Sequence, residues 1–226
     1  FRTLTINTNK LLSLNGTVSN TTNGLLSVLG TLKLNSFSNV TLTPQYGSES
    51  TLIYSVNSTK SRSNEWPGEF SPATVVIENN TDLILQEPRT ISKDFIVRGG
   101  GNIRTDATQT LTMGGTNQSI IVENSGTISG TDNGVGQNLN LKIASGSTTT
   151  VSGDATSNDD NERKFFIIEV LSGGSLNLSR GILCRYGNFL VSGTLQINAF
   201  GYVQSNPSAA KAVKFGPTGK LIYNTG

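Results

Sequence analysis

The chain of 226 residues contains no histidine and only one cysteine, Cys184. A single cysteine excludes an intrachain disulfide and any zinc site built from several thiolates. Without imidazole, this chain by itself cannot form a Ser-His-Asp or Cys-His nucleophile. We therefore expect Cys184 to be a small buried hydrophobic residue, and we predict neither a metal nor a cofactor.

Charge and long apolar runs are scarce as well. Only 14% of the residues are charged, and 17 basic residues against 15 acidic ones leave a net charge of +2. So small a charge predicts no surface for nucleic acid or for an anionic membrane. No run of about 18 apolar residues is present, so we predict no membrane-spanning helix.

Small polar residues and glycine are the most abundant residues of the chain. The chain has 24 Asn, 26 Ser, 28 Thr and 25 Gly residues, which favour turns and strands over helices. Apolar residues alternate with polar ones in many short segments, for example in 3–6 and 194–198, and this period of two is typical of half-buried β-strands. No segment carries a helical apolar pattern of useful length. The sequence therefore predicts an all-β fold.

One short motif, glycine followed by a hydroxyl residue and alternating Leu or Ile, recurs along the chain. Gly174, Gly193 and Gly219 begin similar strands that are 19 and 26 residues apart. This spacing suits one turn of a right-handed parallel β-helix, or β-solenoid, made of three short strands and three turns. We predict about ten rungs and a rod about 50 Å long. The motif reads 30-GTLKLN-35, 174-GSLNLS-179 and 193-GTLQIN-198.

An antiparallel β-sandwich is the alternative fold, because strands every 8 to 12 residues with turn residues between them also fit that class. A sandwich predicts hairpin turns of the Asn-Gly or Asp-Gly type at regular places. Only 15–16, 23–24 and 133–134 have such a dipeptide, which favours the solenoid. In the solenoid register, Leu195 points into the core.

Longer repeats divide the predicted solenoid of residues 1–226 into units. Residues 1–14 align with 72–85 at an offset of 71, with the apolar positions in phase. We therefore interpret 1–56 as the end of one repeat unit, 57–71 as a connecting loop, and 72–226 as a second, longer unit. Two further alignments support this division: 30–35 with 193–198 at an offset of 163, and 52–55 with 221–224 at an offset of 169.

The order of features in 46–85 resembles a known kind of repeat. A glycine-containing strand with Leu-Ile-Tyr is followed by a loop with Glu-Trp-Pro, then by Pro-Ala-x-Val-x-Ile and Leu-x-Leu. This order is similar to the repeat units of very large secreted surface proteins of Bacteroidota, which are adhesins and filament proteins exported by the type IX system. The resemblance implies a secreted, extracellular protein at the cell surface.

The loop 60–70 provides the candidate binding residues Lys60, Arg62, Glu65 and Trp66. An exposed tryptophan beside polar groups can stack on a sugar ring. The alternative is that Trp66 and Phe70 cover the end of a core where two repeat units meet, since large aromatic side chains are usually buried.

The segment 154–164 has four acidic residues, among them Asp159 and Asp160, that could supply oxygen ligands to calcium. It lacks the spacing and the glycine of an EF-hand loop, so a solvated loop is the simpler interpretation. The pair Asp159 and Asp160, together with 80–82, resembles the clustered carboxylates of polygalacturonases, which are β-helical enzymes. The histidine motif of that family is missing here, and we predict no catalytic residues.

The sequence thus predicts a non-enzymatic structural repeat of an extracellular filament or adhesin, acting as a stiff stalk. The expected partners are flanking repeats of the same longer chain, and surface glycans or identical filaments are further candidates. A carbohydrate-active β-helix enzyme, a polysaccharide lyase or hydrolase, remains the alternative function.

Overall fold

A computed structural model describes residues 3–19, 24–130, 138–154, 163–184, 188–205 and 213–224. In this part of the chain every element is a β-strand and every strand pair is parallel. The chain coils as a right-handed parallel β-helix of about eight turns. The predicted fold class is therefore confirmed, and the sandwich alternative is excluded by the parallel pairing.

The longest sheet, which we call face one, runs the whole length of the rod. Within the described residues it has ten strands, and the nine steps between them span about 43 Å at about 4.8 Å each. Its strands are β2 (Leu11–Leu14), β5 (Thr31–Leu34), β8 (Thr51–Tyr54), β10 (Thr74–Ile77), β13 (Phe95–Val97), β16 (Gln118–Val122), β19 (Thr148–Gly153), β22 (Ser175–Leu178), β25 (Thr194–Asn198) and β28 (Lys220–Asn224).

Face two follows face one in each turn of the chain. Near the start it is a sheet of two strands, β3 (Thr17–Val18) and β6 (Asn39–Val40). It continues as a sheet of seven strands. These are β9 (Thr59–Ser61), β11 (Asp82–Leu85), β14 (Asn102–Thr105), β17 (Thr127–Ser129), β20 (Arg163–Phe165), β23 (Gly181–Cys184) and β26 (Tyr202–Ser205).

Face three completes each turn and is interrupted once. Its first sheet has three strands, β1 (Thr3–Ile6), β4 (Leu25–Val28) and β7 (Gln45–Tyr46). Its second sheet has six strands. These are β12 (Arg89–Ile91), β15 (Gln109–Met113), β18 (Leu139–Ile143), β21 (Ile168–Val170), β24 (Phe189–Val191) and β27 (Val213–Phe215).

The apolar and polar side chains that alternate in the sequence point alternately into the core of the rod and away from it. Leu195 is 2% exposed and is paired in register with Leu176 below it and Leu221 above it. Equivalent stacks of Leu, Ile, Val and Phe from all three faces form one continuous core. The predicted inward position of Leu195 is confirmed, as is the stacking of the strands that Gly174, Gly193 and Gly219 precede.

The repeat alignments differ in what they match. The offsets of 163 and 169 relate strands that lie on the same face, since β5, β8, β25 and β28 all belong to face one. The offset of 71 matches Ile6 on face three with Ile77 on face one. Both side chains point into the core, so the apolar phase agrees although the faces differ. The predicted connecting loop 57–71 also contains a strand, β9.

Asparagine and glycine concentrate at the corner between face one and face two because the backbone there turns left-handed. Asn80 donates its amide hydrogen to the carbonyl of Gly99 (2.9 Å), and Gly100 donates to the carbonyl of Asn124 (3.0 Å), so the corners stack like the strands. Non-glycine residues rarely adopt a positive φ, and asparagine does so at least penalty. Two phenylalanines at this corner, Phe37 and Phe200, also have positive φ. In the described residues, the full set between face-one and face-two strands is Phe37, Asn57, Asn79, Asn80, Gly99, Gly100, Asn124, Ser125 and Phe200.

The glycine of the recurring motif is required by close contact between rungs. A Cβ atom on Gly193 would lie 2.1 Å from the carbonyl oxygen of Gly174 and 2.4 Å from that of Leu171. Both carbonyl oxygens accept backbone hydrogen bonds, that of Gly174 from the amide of Thr194 at 2.8 Å and that of Leu171 from the amide of Gly174 at 2.9 Å, so they cannot easily move. The motif recurs because each strand starts where the chain passes directly over the preceding turn.

We expect Gly193→Ala to lower the free energy of unfolding by about 1–3 kcal/mol, the usual penalty for an added group in a filled site. Gly16→Ala is the matched control, because nothing lies within 4 Å of a Cβ at Gly16. An alanine there should be neutral or stabilise by about 0.4–1 kcal/mol through the unfolded state. Urea unfolding followed by far-UV circular dichroism measures both, and equal midpoints for the two variants would contradict the close contact at Gly193.

Candidate functional site

Residues 62–73 occupy the gap between the two sheets of face three. They follow β9 on face two and precede β10 on face one, which places them where a face-three strand would otherwise lie. Below them, the amide of Tyr46 in β7 donates to the carbonyl of Phe70 at 3.1 Å. Above them, Nε of Arg89 in β12 donates to the carbonyl of Trp66 at 2.7 Å. We call this segment the Trp66 loop.

Trp66 and Glu65 are turned into the rod, and neither side chain is accessible to solvent. The Trp66 ring packs against Tyr54, with centroids 6.5 Å apart. Tyr54 donates its hydroxyl to Oε1 of Glu65 at 3.1 Å, and Tyr46 donates its hydroxyl to the backbone carbonyl of Glu65 at 2.6 Å. The pKa of each tyrosine is raised well above the ordinary value for tyrosine, mainly because the hydroxyl is buried and secondly because Glu65 is negatively charged.

Two arginines, Arg62 within the loop and Arg89 in the rung above, bind the backbone of Trp66. Arg62 Nη1 and Arg89 Nε both donate to the carbonyl of Trp66, at 2.8 and 2.7 Å. The same two guanidinium groups form ion pairs with Glu87, at 3.0 Å from Arg62 and 2.7 Å from Arg89. Burial lowers the pKa of Arg89, an effect partly offset by its hydrogen bond to Glu87. The backbone of Trp66 is therefore fastened to two levels of the rod.

The four predicted binding residues thus have different surroundings. Trp66 and Glu65 are covered, so the indole cannot stack on a sugar from solution and the carboxylate cannot contact one. Arg62 is engaged with Trp66 and Glu87. Lys60 is partly exposed and donates to the carbonyl of Ser38 at 3.1 Å. The structure brings the four residues together, but only Lys60 and the edge of Arg62 reach the surface. Of the two aromatic residues predicted to cover the core, Trp66 is buried, whereas the prediction for Phe70 is wrong, because its side chain is 64% exposed.

A polar ladder crosses the rungs on the outer side of face two. Asp82 accepts hydrogen bonds from Thr59 in the rung below (3.2 Å) and from Asn102 in the rung above (2.8 Å). Asn102 in turn accepts from the Thr127 hydroxyl at 2.8 Å, and Arg104 Nε donates to Asp82 at 2.9 Å. Because these bonds join successive turns, they reinforce the stack from outside.

The same contacts fix the charge of Asp82. Partial burial raises the pKa of its carboxyl, but hydrogen bonds from Arg104 and Asn102 outweigh burial and lower the pKa below its ordinary value. A catalytic general acid needs the opposite shift. Asp82, the acidic residue of 80–82, is therefore suited to holding rungs together and poorly suited to proton donation.

A cluster of three charged side chains, Lys33, Glu78 and Arg98, lies on the outer side of face one, and we call it the Glu78 clamp. Lys33 Nζ lies 2.8 Å from Oε1 of Glu78, and Arg98 Nη2 lies 2.8 Å from Oε2. Partial burial raises the pKa of Glu78, but the hydrogen bonds from Lys33 and Arg98 outweigh it, so the pKa is lowered. Lys33 is in β5, whereas Glu78 and Arg98 follow β10 and β13, so the clamp spans several rungs.

We expect the clamp to make stability depend on acid pH. A carboxyl whose pKa is lowered by folding contributes fully above its unfolded pKa, here about 4.5, and this contribution is lost as the pH falls below that value. Glu78→Gln should lower the stability at neutral pH by up to about 1 kcal/mol and flatten the acid limb of a stability-versus-pH curve. Glu69→Gln, at an exposed position, is the control. Identical acid limbs for Glu78→Gln and the unaltered protein would contradict this role.

The acidic segment predicted at 154–164 falls mostly outside the described residues, and Asp159 and Asp160 are among those not described. Asp154 accepts a hydrogen bond from the amide of Asn124 at 2.7 Å, so it closes a corner between rungs. Within the described part of the chain, no three His, Cys, Asp or Glu side chains come together as metal ligands do.

Sequence reasoning missed two columns of side chains on face one. Thr31, Thr51 and Thr74 are paired in register on successive rungs and form a column of hydroxyls. The signal was a small residue followed by Thr and then by Leu or Val, in 30–32, 50–52 and 73–75. Next to this column runs an apolar one in register, formed by Ile53, Val76, Ile96 and Ile121. Val76 in this column is only 4% exposed, and the other three are half-buried.

A comparison with protein-family models, with curated proteins and with solved structures finds no match for this chain. In the described residues there is no helix of the length and apolar character that crossing a membrane requires. The class that the structure defines is thus the right-handed parallel β-helix, with a buried tryptophan loop filling one position of its third face.

Proposed function

We propose that this chain is a non-enzymatic structural segment of an extracellular surface filament or adhesin, in which it acts as a stiff stalk. The observation that carries the proposal is the unbroken ten-stranded stack of face one. A β-helix resists bending because the hydrogen bonds between rungs run along its axis and a single core continues through every turn. Such an element holds a distal binding element at a fixed distance.

The Trp66 loop supports a mechanical function. A gap in face three would be a hinge, since fewer hydrogen bonds would join the rungs there. The loop fills this position with the fully buried side chain of Trp66. The backbone of the loop is hydrogen-bonded to Tyr46 on one side and to Arg89 on the other. Stiffness is therefore maintained where regular strand pairing stops.

The outer surface supports a secondary contact function. Hydroxyl and amide groups in regular columns, such as Thr31, Thr51 and Thr74, suit weak and repeated contacts with glycans, and Lys60 and Arg62 add cations beside face two. On this proposal the protein is secreted and lies at the cell surface. Its partners are flanking repeats of the same longer chain, together with surface glycans or identical filaments, and neither nucleic acid nor a membrane span is involved.

The resemblance of 46–85 to repeats of Bacteroidota surface proteins supports the cellular context. The hydrogen bonds of Asp82 support a structural role for this carboxylate, because they come from Thr59 in the rung below and from Asn102 and Arg104 in the rung above.

Incubation with a panel of polysaccharides, with and without calcium, tests this proposal. Retention on immobilised glycan is followed alongside new reducing ends and unsaturated ends. We expect no chain cleavage, and retention of some glycans would assign the contact function to this segment itself. Cleavage that Asp159→Asn and Asp160→Asn abolish would overturn the structural proposal in favour of a lyase or hydrolase.

A further inference from the structure

Aromatic and aliphatic side chains are exposed at the end of the rod where β28 lies. Leu221 is 43% exposed and Tyr223 is 70% exposed, although both alternate inward with the core. Together with Phe215 and other residues they line an open cavity of about 310 Å³. The side chains that shape it are Leu195, Ile197, Val213, Phe215, Leu221 and Tyr223.

This end repeats a structure found in the interior. The segment 46-YGSESTLIY-54 corresponds to 215-FGPTGKLIY-223, so Tyr46 stands where Phe215 stands, and Tyr54 where Tyr223 stands. In both places a strand of face three, β7 or β27, leads through a turn into a strand of face one, β8 or β28.

The backbone hydrogen bonds repeat as well. Gly47 donates to Val28 at 2.9 Å, and Gly216 donates to Val191 at 2.8 Å. Lys220 donates to Gly193 at 2.8 Å, as Thr51 does to Gly30 at 3.0 Å. The turn between the strands is closed by equivalent bonds, from Ser50 to Gly47 at 3.1 Å and from Gly219 to Gly216 at 2.9 Å. The two strand-turn-strand units therefore have the same backbone hydrogen bonding. We call each unit a ledge: the interior ledge is 45–54, and the end ledge is 213–224.

What covers the interior ledge is visible. Trp66 packs on Tyr54 with ring centroids 6.5 Å apart, and Tyr54 and Tyr46 bind Glu65 through their hydroxyls. The strand β10 then pairs in parallel with β8. Covering the ledge brings Tyr54 to 0% exposure, whereas Tyr223 remains 70% exposed.

We propose that the end of the rod formed by β27 and β28 is a docking site for a further tryptophan loop of the Trp66 kind, followed by a strand that pairs with β28. This inference rests on the proposed function, because the repeat unit that follows in the filament supplies the loop. Tyr223 packs on the incoming indole and donates to the acidic residue before it. Phe215 retains the packing surface of Tyr46 but lacks its hydroxyl.

The experiment adds such a loop to the protein. A fusion of residues 1–224 with a second copy of 56–130 places the appended loop at the same distance from β28 as the Trp66 loop has from β8. The chain has one tryptophan, so Trp66→Phe in the body of the rod leaves the appended indole as the only one. We expect its emission at shorter wavelength and a several-fold smaller acrylamide quenching constant than for a free peptide of residues 57–77.

Two variants of the fusion control for nonspecific burial. Tyr223→Asp should abolish the protection, whereas Asn224→Asp puts the same charge on the adjacent, outward position and should retain it. If Trp66→Phe prevents folding, the fusion with both tryptophans is used, and full protection of both indoles is expected. An appended indole that quenches like the free peptide would overturn the proposal.

A second copy of this chain is the competing occupant of the open end. Sedimentation of the unextended protein and of the fusion separates the two cases. Association of the fusion that Tyr223→Asp abolishes would show that this end binds another rod instead, and would also overturn the proposal. Either failure leaves the stalk function standing, because that function is tested by the polysaccharide assay on the unextended chain.

Discussion

Replacing Trp66 with alanine should lower the free energy of unfolding by about 3–5 kcal/mol, the range for removing a large buried aromatic side chain. Trp66 is completely buried and packs against Tyr54 in the position where face three has no strand. Its removal leaves a cavity in the core that the neighbouring rungs cannot close, because each is held in register by its own hydrogen bonds. Urea unfolding followed by far-UV circular dichroism measures the effect.

Phe70→Ala is the matched control for Trp66→Ala. Phe70 belongs to the same loop and is also aromatic, but it is 64% exposed. We expect the stability of this variant to stay within about 0.5 kcal/mol of the unaltered protein. Similar losses for both variants would mean that Trp66 does not fill the core.

Trp66→Ala should also reduce the cooperativity of unfolding. In a solenoid each rung contacts only its neighbours, so coupling between two segments depends on the interface that joins them. The Trp66 loop lies at such an interface, between β7 and β12 on face three. We therefore expect a smaller denaturant m-value for Trp66→Ala, and a sharp single transition of unchanged m-value would argue against this coupling.

Leu195→Asp should destabilise the rod by several kcal/mol, on the order of 3–5, because it places an unpaired carboxylate in the core. Leu195 is 2% exposed and lies between Leu176 and Leu221 in the stack. Burial disfavours the charged form of the new carboxyl and raises its pKa. The stability deficit should therefore grow as the pH rises from about 4 to about 7.

Gln196→Asp tests whether the effect of Leu195→Asp comes from placing the charge on an inward-pointing side chain and not from the added charge alone. Gln196 is the next residue in β25, and its side chain points outward and donates to Asn198 at 2.7 Å. We expect a loss of about 1 kcal/mol or less, since the outer face is solvated. Thermal unfolding of the two variants at both pH values decides between the alternatives, and equal losses would place Leu195 outside the core.

The fold could be predicted from the sequence to a large extent. Alternation in segments such as 194–198 set which side chains point inward, and the glycines at 174, 193 and 219 marked where each rung begins. Both signals are local: side-chain direction in a strand has a period of two, and a turn residue acts on its own backbone. The inward position of Leu195 followed from them without knowledge of any contact.

The candidate site could be predicted only in part. The sequence grouped Lys60, Arg62, Glu65 and Trp66, and the structure keeps them together. It could not decide whether the indole faces solvent or the core, because the partners that bury it, Tyr46, Tyr54 and Arg89, come from rungs on either side. A residue outside a regular strand has no alternating pattern to indicate its direction.

Local sequence therefore determined that this chain is all-β, where its strands begin and which side chains face the core. Tertiary structure decided which face each strand joins, as the alignment of Ile6 with Ile77 shows, since all three faces share the same period. It also decided that Trp66 fills the gap in face three while Tyr223 stays exposed. The physical reason is that burial in a solenoid depends on the rung above and the rung below, which are distant in the sequence.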